Sequence, residues 1–311
     1  MKPTKQRLAL VMLTCNRRDE VLHALARLHE AVEDRPVYLV DNASSDGTAA
    51  AVAERFPAVH VIRLAENRGA AGRNAGVRAA AVDYIAFCDD DTWWASGALR
   101  RAIDVLDAHP RLVAISARVL VGDAEREDDT CRRMAASPLP DLPGVPGRQL
   151  LGFMAGASVV RRDAFLAAGG YEPRLFLGRE ELLLALDWYA AGWRMAYVPE
   201  LVVHHHPSPV RDVRGRRRLL ARNALWCALL RRPWRSVARI LVATMRDARR
   251  DPEALGGLVD AVRGLRWVIC ARRRLPDAVE QKLRRVEAFY AAESGEPPVA
   301  TASCAPASRA G

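Results

Sequence analysis

Short runs rich in Val, Ile and Leu alternate with amphipathic stretches along the first third of the chain. Residues 8–14, 37–41, 59–64 and 84–89 read as strands, and 19–30, 46–56, 71–82 and 96–109 as the helices between them. This alternation predicts an α/β domain with a doubly wound, mostly parallel sheet flanked by helices. In such sheets ligands sit beyond the carboxyl ends of the strands, so the loops that follow the strands carry the chemistry. A fifth strand, 112–121, leads into an acidic segment, 123–129, and then Pro138, Pro140, Pro143 and Pro146, a stretch that reads as a mobile surface loop. Order resumes over 150–160, followed by a helix near 162–168, Gly169 and Gly170, a helix over 180–191, and strand-like runs at 195–198 and 201–205. Past Pro207 and Pro209 the chain is arginine-rich and helix-favouring to about Tyr290. Three regions result: an α/β domain over 1–210, a basic amphipathic helical region over 211–290, and a small-residue tail over 291–311 that is expected to be disordered.

Composition narrows the class. With 311 residues, half of them apolar and 27% charged, the chain is long enough for a substantial core and unlike collagenous, coiled-coil or wholly disordered sequences. The longest apolar candidates, 219–230 and 237–245, are interrupted by Arg222 and Arg239, so no membrane-spanning helix is expected. The net charge of +10 is unevenly placed: residues 1–210 hold 25 Lys+Arg against 27 Asp+Glu, and residues 211–311 hold 22 against 10. Six scattered cysteines form no paired motif, which fits free thiols in a reducing cytoplasm.

Three post-strand loops carry candidate chemistry. Asp41 opens a polar loop to Thr48, where its carboxylate can accept from a nucleobase N–H and Asp46 can cap the next helix. The small residues of loop 66–76 let backbone and Arg73 approach an anion at a helix N-terminus. Asp89, Asp90 and Asp91 end an apolar run and precede Trp93 and Trp94. Three adjacent carboxylates repel one another unless a cation intervenes, and hard oxygen donors suit Mg²⁺ or Mn²⁺ beside a diphosphate.

Taken in order, the stretch from Leu13 to Arg17 and the segments 41–48, 66–76, 87–92, 152–171, 178–192 and 197–208 resemble the inverting, metal-dependent family 2 glycosyltransferases of GT-A fold, in particular rhamnosyltransferase-like enzymes. The resemblance spans about residues 7–210. It implies a nucleoside-diphosphate sugar as donor and Mn²⁺ or Mg²⁺ as cofactor, with Asp41 on the nucleobase, Asp89 reaching ribose and metal, and Asp91 as direct metal ligand. Thr14, Asn16, Arg17, Asn67, Gly69, Arg73, Asn74 and Asp90 complete the donor-nucleotide set that it implies. Glu180 and Glu181 stand where the family has a Glu-Asp pair, which makes Glu181 the match to the general base. Two departures are visible: Glu181 is longer than the usual aspartate by a methylene, and Leu183 replaces a second acid. The resemblance also implies a histidine at the metal or diphosphate. Among His204, His205 and His206, alternation along a strand lets at most two face one site, and His205 or His206 is expected there.

Basic residues between 211 and 222, followed by Trp226, Leu229, Leu230, Trp234, Ile240 and Leu241, suggest helices lying on an anionic membrane surface beside a glycan or glycolipid acceptor. That reading places the protein in the cytoplasm, peripheral to the inner face of the cell membrane. A solvated face over a packed helical cap is the alternative for this region. For the whole chain, a non-catalytic nucleotide-binding scaffold at the membrane is the rival in another class. Nucleic-acid binding has charge in its favour and no supporting motif.

Overall fold

The computed structural model describes residues 6–31, 35–207 and 213–294. Strands β1 (Leu8–Thr14), β2 (Val37–Asp41), β3 (His60–Arg63) and β4 (Tyr84–Asp89) alternate with helices α1 (Arg18–Ala31), α2 (Thr48–Arg55) and α3 (Arg73–Ala79). These strands lie parallel in the order β3-β2-β1-β4. The apolar run of β1 is buried on both faces, as a strand inside a parallel sheet requires. Register then levels the strand ends: Thr14 pairs with Asp41 and Leu13 with Asp89, so β2, β1 and β4 finish on one polar rim.

Beyond β4 the sheet is mixed. In chain order come β5 (Thr92–Trp94), α4 (Ala98–Ala108), β6 (Leu112–Val121), β7 (Arg126–Glu127), α5 (Asp129–Ala135), β8 (Arg148–Leu150), β9 (Ser158–Arg161), α6 (Arg162–Ala167), α7 (Glu180–Ala190) and β10 (Arg194–His205). β9 is antiparallel to both β4 and β6, β10 is parallel to β6, and β5 and β8 are antiparallel to β10. The mostly parallel sheet expected from the βα rhythm is therefore parallel in its N-terminal half and mixed beyond it. The antiparallel strands are only two to four residues long, too short to show a periodicity in the sequence.

Two segments differ from their sequence reading. The runs 195–198 and 201–205 form one strand, β10, with an irregularity between Val198 and Val202 where Pro199 cannot donate to a ladder. The segment read as a mobile loop is folded: β7 pairs with β6, Asp128 caps α5 by accepting from Thr130 N at 2.7 Å, and Cys131, Met134 and Leu139 are buried. The acids that suggested a solvated loop, Asp128 and Asp129, are the cap and first turn of that helix.

The C-terminal region consists of α8 (Val213–Arg231), α9 (Trp234–Ala248), α10 (Pro252–Arg263), α11 (Leu265–Cys270) and α12 (Asp277–Ser294). It is docked on the first region through a second apolar cluster that joins Leu225, Trp226, Leu230, Ile240 and Val268 to Leu175 and Leu183. Helix α7 thus serves two cores, with Leu184, Leu186 and Trp188 packed on the sheet side and Leu183 among the C-terminal helices. Polar ties reinforce the docking. Arg231 Nε and Nη2 reach Asp187 at 2.5 and 2.8 Å, and buried Arg232 holds both Glu280 and Glu287 of α12. A buried charge is tolerable when it is paired in this way.

Of the residues read as membrane-facing, Trp226, Leu230 and Ile240 are buried in this second core and Leu229 packs against it, whereas Trp234 and Leu241 are exposed. Of the tail read as disordered, residues 291–294 complete α12, and 295–311 lie outside the described residues, as do 208–212 at the expected boundary. Among the described residues no helix is long and apolar enough to cross a membrane.

Candidate active site

The polar rim assembles from loops that lace into one another. Asp41, fully buried at the end of β2, accepts from Ser44 N at 3.0 Å through Oδ1. Its Oδ2 has no hydrogen-bond donor and lies 3.5 Å from Arg63 Nε. A buried carboxylate oxygen with unused acceptor capacity suits a ligand N–H. Beside it, Asn16 N donates to Ser44 Oγ at 2.9 Å and Asn16 Oδ1 accepts from Ser45 N at 2.8 Å, which ties the β1–α1 loop to the β2–α2 loop. Asn67 Oδ1 accepts from Asn42 Nδ2 at 2.8 Å and from Gly69 N at 2.9 Å. Gly69 has φ +56°, and a Cβ there would collide with the Phe176 carbonyl, so only glycine brings this loop against the segment leading into α7.

Two residues expected at the nucleotide have other partners. Asn74 uses both ends of its amide on Tyr171, donating to its carbonyl at 2.8 Å and accepting from its N–H at 3.0 Å. Arg17 Nη1 stands between Asp90 Oδ1 at 3.1 Å and Asp91 Oδ2 at 3.4 Å. An arginine at the first turn of a polar loop reads equally well as an anion ligand or as a partner of acids distant in sequence, which the sequence alone does not separate.

The three acids turn the chain between β4 and β5. Thr92 Oγ1 accepts from Asp89 N at 2.9 Å and closes the turn, and a Cβ at Gly156 would strike the Asp89 carboxylate. Asp90 and Asp91 are buried. Burial, and then the neighbouring Asp91 and Asp89, push the Asp90 carboxyl up to about 7 against the opposing pull of Arg17 and the Thr14 hydroxyl. The end of β10 closes the other side: His206 N donates to the Asp91 carbonyl at 2.9 Å, and His205 Nε2 lies 3.5 Å from Asp91 Oδ1. Strand alternation separates the three histidines. His204 stacks on Trp93 and pairs with Glu125, and the His206 imidazole faces exposed Asp123 at 3.7 Å, so His205 is the one brought to the Asp91 carboxylate.

Among the described residues no three His, Cys, Asp or Glu side chains gather closely enough to hold an ion alone. The Asp91–His205 pair offers one oxygen and one nitrogen donor. That set fits Mn²⁺ or Mg²⁺ when ligand phosphate oxygens and water supply the other positions.

Facing the rim is the start of α7. Glu180 is buried, with Oε2 lacking a hydrogen-bond partner, and Glu181 is half-buried. Burial raises both carboxyls, and the charge of Glu181 raises Glu180 further. Buried Arg73 links the two sides: its guanidinium pairs with Asp89 and lies within electrostatic reach of Tyr171, Glu181 and Glu180. Glu181, the more accessible of the two acids, can take a proton from a ligand hydroxyl while Arg73 limits the rise of its pKa.

The segment before α7 is tightly wound. Phe176 (φ 62°), Gly178 (φ 88°) and Arg179 (φ 70°) all adopt positive φ, and Leu177 N donates to Leu175 O at 2.7 Å. For Phe176 and Arg179 this conformation stores about 1–3 kcal/mol each, which the surroundings must offset. They do so through residues that sequence reading missed. Fully buried Asn223 of α8 places Nδ2 2.8, 3.1 and 2.7 Å from the carbonyls of Leu175, Leu177 and Gly178, and Arg222 Nη2 reaches those of Arg174 and Leu175. Asn42 is the equivalent tie on the Asp41 side of the rim, donating to Asn67 and Gly69 O and accepting from Arg68 N. The only signal for Asn223 was one uncharged amide within a helix otherwise dense in arginine and apolar residues.

Comparison with known proteins gives this geometry a context. The family model described as Glycosyl transferase family 2 matches residues 9–167, just over half of the chain. A Mycobacterium tuberculosis protein named N-acetylglucosaminyl-diphospho-decaprenol L-rhamnosyltransferase is 28% identical over 224 residues, covering 59% of this chain and 71% of its own length. Among solved structures, S. aureus TarS 1-349 in complex with UDP-GlcNAc superposes with a TM-score of 0.57 at 14% identity, covering 93% of this chain and 87% of that one. The mannosyltransferase PcManGT from Pyrobaculum calidifontis, in complex with GDP-Man and Mn²⁺, gives a TM-score of 0.52 at 20% identity, covering 94% and 77%. At these identities the two structures establish the fold.

Proposed function

The chain belongs to glycosyltransferase family 2, and from that premise we propose that it transfers a sugar, with inversion, from a nucleoside-diphosphate donor to a hydroxyl of a lipid-linked glycan. One observation carries the reading: the rim of Asp41, Thr14 and Asp89 faces the half-buried Glu181 across a single buried arginine, Arg73. The donor's base lies against Asp41 and its diphosphate beside the Asp89–Asp91 turn. Asp91 and His205 would hold a divalent cation, which would neutralise charge on the departing diphosphate. The acceptor oxygen bonds to the anomeric carbon of the donor sugar on the face opposite the departing diphosphate. The bond from that carbon to the diphosphate oxygen breaks with its electron pair on the diphosphate, and the hydroxyl proton passes to the Glu181 carboxylate. His206 is left out of this assignment, because its imidazole faces Asp123.

The lipid-linked class of acceptor is supported by the M. tuberculosis relative, whose name specifies a sugar-diphospho-decaprenol acceptor. Such an acceptor implies a cytoplasmic enzyme working at the inner face of a membrane. The test is product analysis. Purified protein is incubated with a panel of nucleoside-diphosphate sugars, Mn²⁺ or Mg²⁺, and a short-chain prenyl-diphosphate-linked N-acetylglucosamine, and the anomeric configuration of the product is read by NMR. An inverted product is expected. A retained configuration, or donor binding with no transfer to any hydroxyl acceptor, would overturn the reading.

A further inference from the structure

Ten large apolar side chains are exposed among the described residues, and eight of them lie on α9, α10 and α11. Helix α9 carries four: Trp234, Leu241, Val242 and Met245. At 3.6 residues per turn these fall within roughly 100° of arc. Ser236, Val237, Ile240 and Thr244 occupy the inward side. Arg235, Arg239 and Arg246, all exposed, form a row along the other edge of the apolar stripe. Residues 234–250 hold five arginines against one acid, Asp247. Arg239 also lines a groove of about 330 Å³ with Gln281, Arg284 and Arg285 of α12; the acid in that groove, Glu287, is already paired with Arg232.

We propose that this face of α9, with the arginine groove beside it, seats the protein on an anionic phospholipid surface. The apolar stripe enters the headgroup boundary, with Trp234 suited to that depth, and the arginines engage lipid phosphates. Charge selects this occupant over a second copy of the chain. A two-fold contact through the same face would set its arginines against one another, whereas an anionic leaflet neutralises them. Nucleic-acid phosphates would use the arginines and leave the apolar stripe in water. The proposal deepens the lipid-linked acceptor reading, since docking would bring the site to the acceptor, but it is tested without any transfer reaction.

Full-length protein is floated with vesicles of phosphatidylcholine alone and of phosphatidylcholine mixed with phosphatidylglycerol. Binding to the mixed vesicles only, weakened by salt, is expected. Arg235→Gln/Arg239→Gln/Arg246→Gln should weaken that binding about a hundredfold, at about fivefold per arginine, and Val242→Asp/Met245→Glu should abolish it. Both variants should keep the wild-type melting temperature and its shift with nucleotide, which separates loss of docking from loss of the donor site. Binding unaffected by either set of substitutions would overturn the proposal, as would a stable dimer by light scattering that Met245→Glu dissociates, or affinity for DNA exceeding that for the vesicles.

Discussion

Glu181→Gln is expected to lower kcat by about 10²–10⁴-fold, the span of general-base catalysis, with the nucleotide-induced rise in melting temperature unchanged. The substitution keeps shape and removes the proton acceptor. The pH profile of the wild type carries the same signature. Burial holds the Glu181 carboxyl above its ordinary value, and the active form is the ionised one, so kcat should rise with pH through a midpoint above the usual carboxylate range. The linkage has the opposite sign for stability: a carboxyl that binds its proton more tightly when folded stabilises the protein at low pH, and this contribution fades as pH rises through the folded pKa. An acid limb at the ordinary carboxylate position, or a Glu181→Gln enzyme at full rate, would assign the base elsewhere. Glu180 would be the first residue to examine, although its carboxylate is more deeply enclosed.

The second large effect is expected far from the reacting atoms. Asn223→Ala should destabilise the protein by about 2–4 kcal/mol, because buried carbonyls left without donors cost about 1–3 kcal/mol each. In the same variant kcat should fall while nucleotide binding persists. The amide ties the three carbonyls that hold Phe176 and Arg179 at positive φ, and α7 begins immediately afterwards with the two glutamates. Without that tie the strained segment relaxes and Glu181 loses its fixed position opposite the rim. Hydrogen exchange supplies a reading that global destabilisation does not mimic: amides of 174–181 should exchange faster than those of β1 and β4 in the same molecule. Uniform acceleration, or an unchanged kcat where the variant is fully folded, would reduce Asn223 to a stability residue.

Much of the polar rim was legible in the sequence because a parallel strand ends where its apolar run ends. Asp41 and Asp89 follow such runs directly, and strand register then brings them to one rim with Thr14. Side-chain pairing over long sequence separation was not legible in the same way. Arg17 and Asn74 have the chemistry of nucleotide ligands, yet one pairs with acids more than seventy residues away and the other holds the backbone of Tyr171. The histidines show both sides of this: alternation limited the choice, and only the pairing of β10 with β5 selects His205. In the C-terminal third, arginine richness suggested a lipid-facing surface or a solvated face over a packed helical cap. Arg231 and Arg232 are instead buried on Asp187, Glu280 and Glu287, whose positions in other helices no local pattern reveals.

The proposed transfer depends on a cation-dependent nucleotide site built around Asp91. It is tested most directly by thermal shift of the wild type and Asp91→Asn with UDP, GDP, dTDP and CDP, each with and without Mn²⁺ or Mg²⁺. A ligand that binds only the folded state must raise its stability, by about 2.7 kcal/mol at a hundredfold excess over Kd. A rise with one nucleotide that requires the cation and disappears in Asp91→Asn is expected. No rise with any nucleotide and cation, or the same cation-dependent rise in Asp91→Asn, would contradict it.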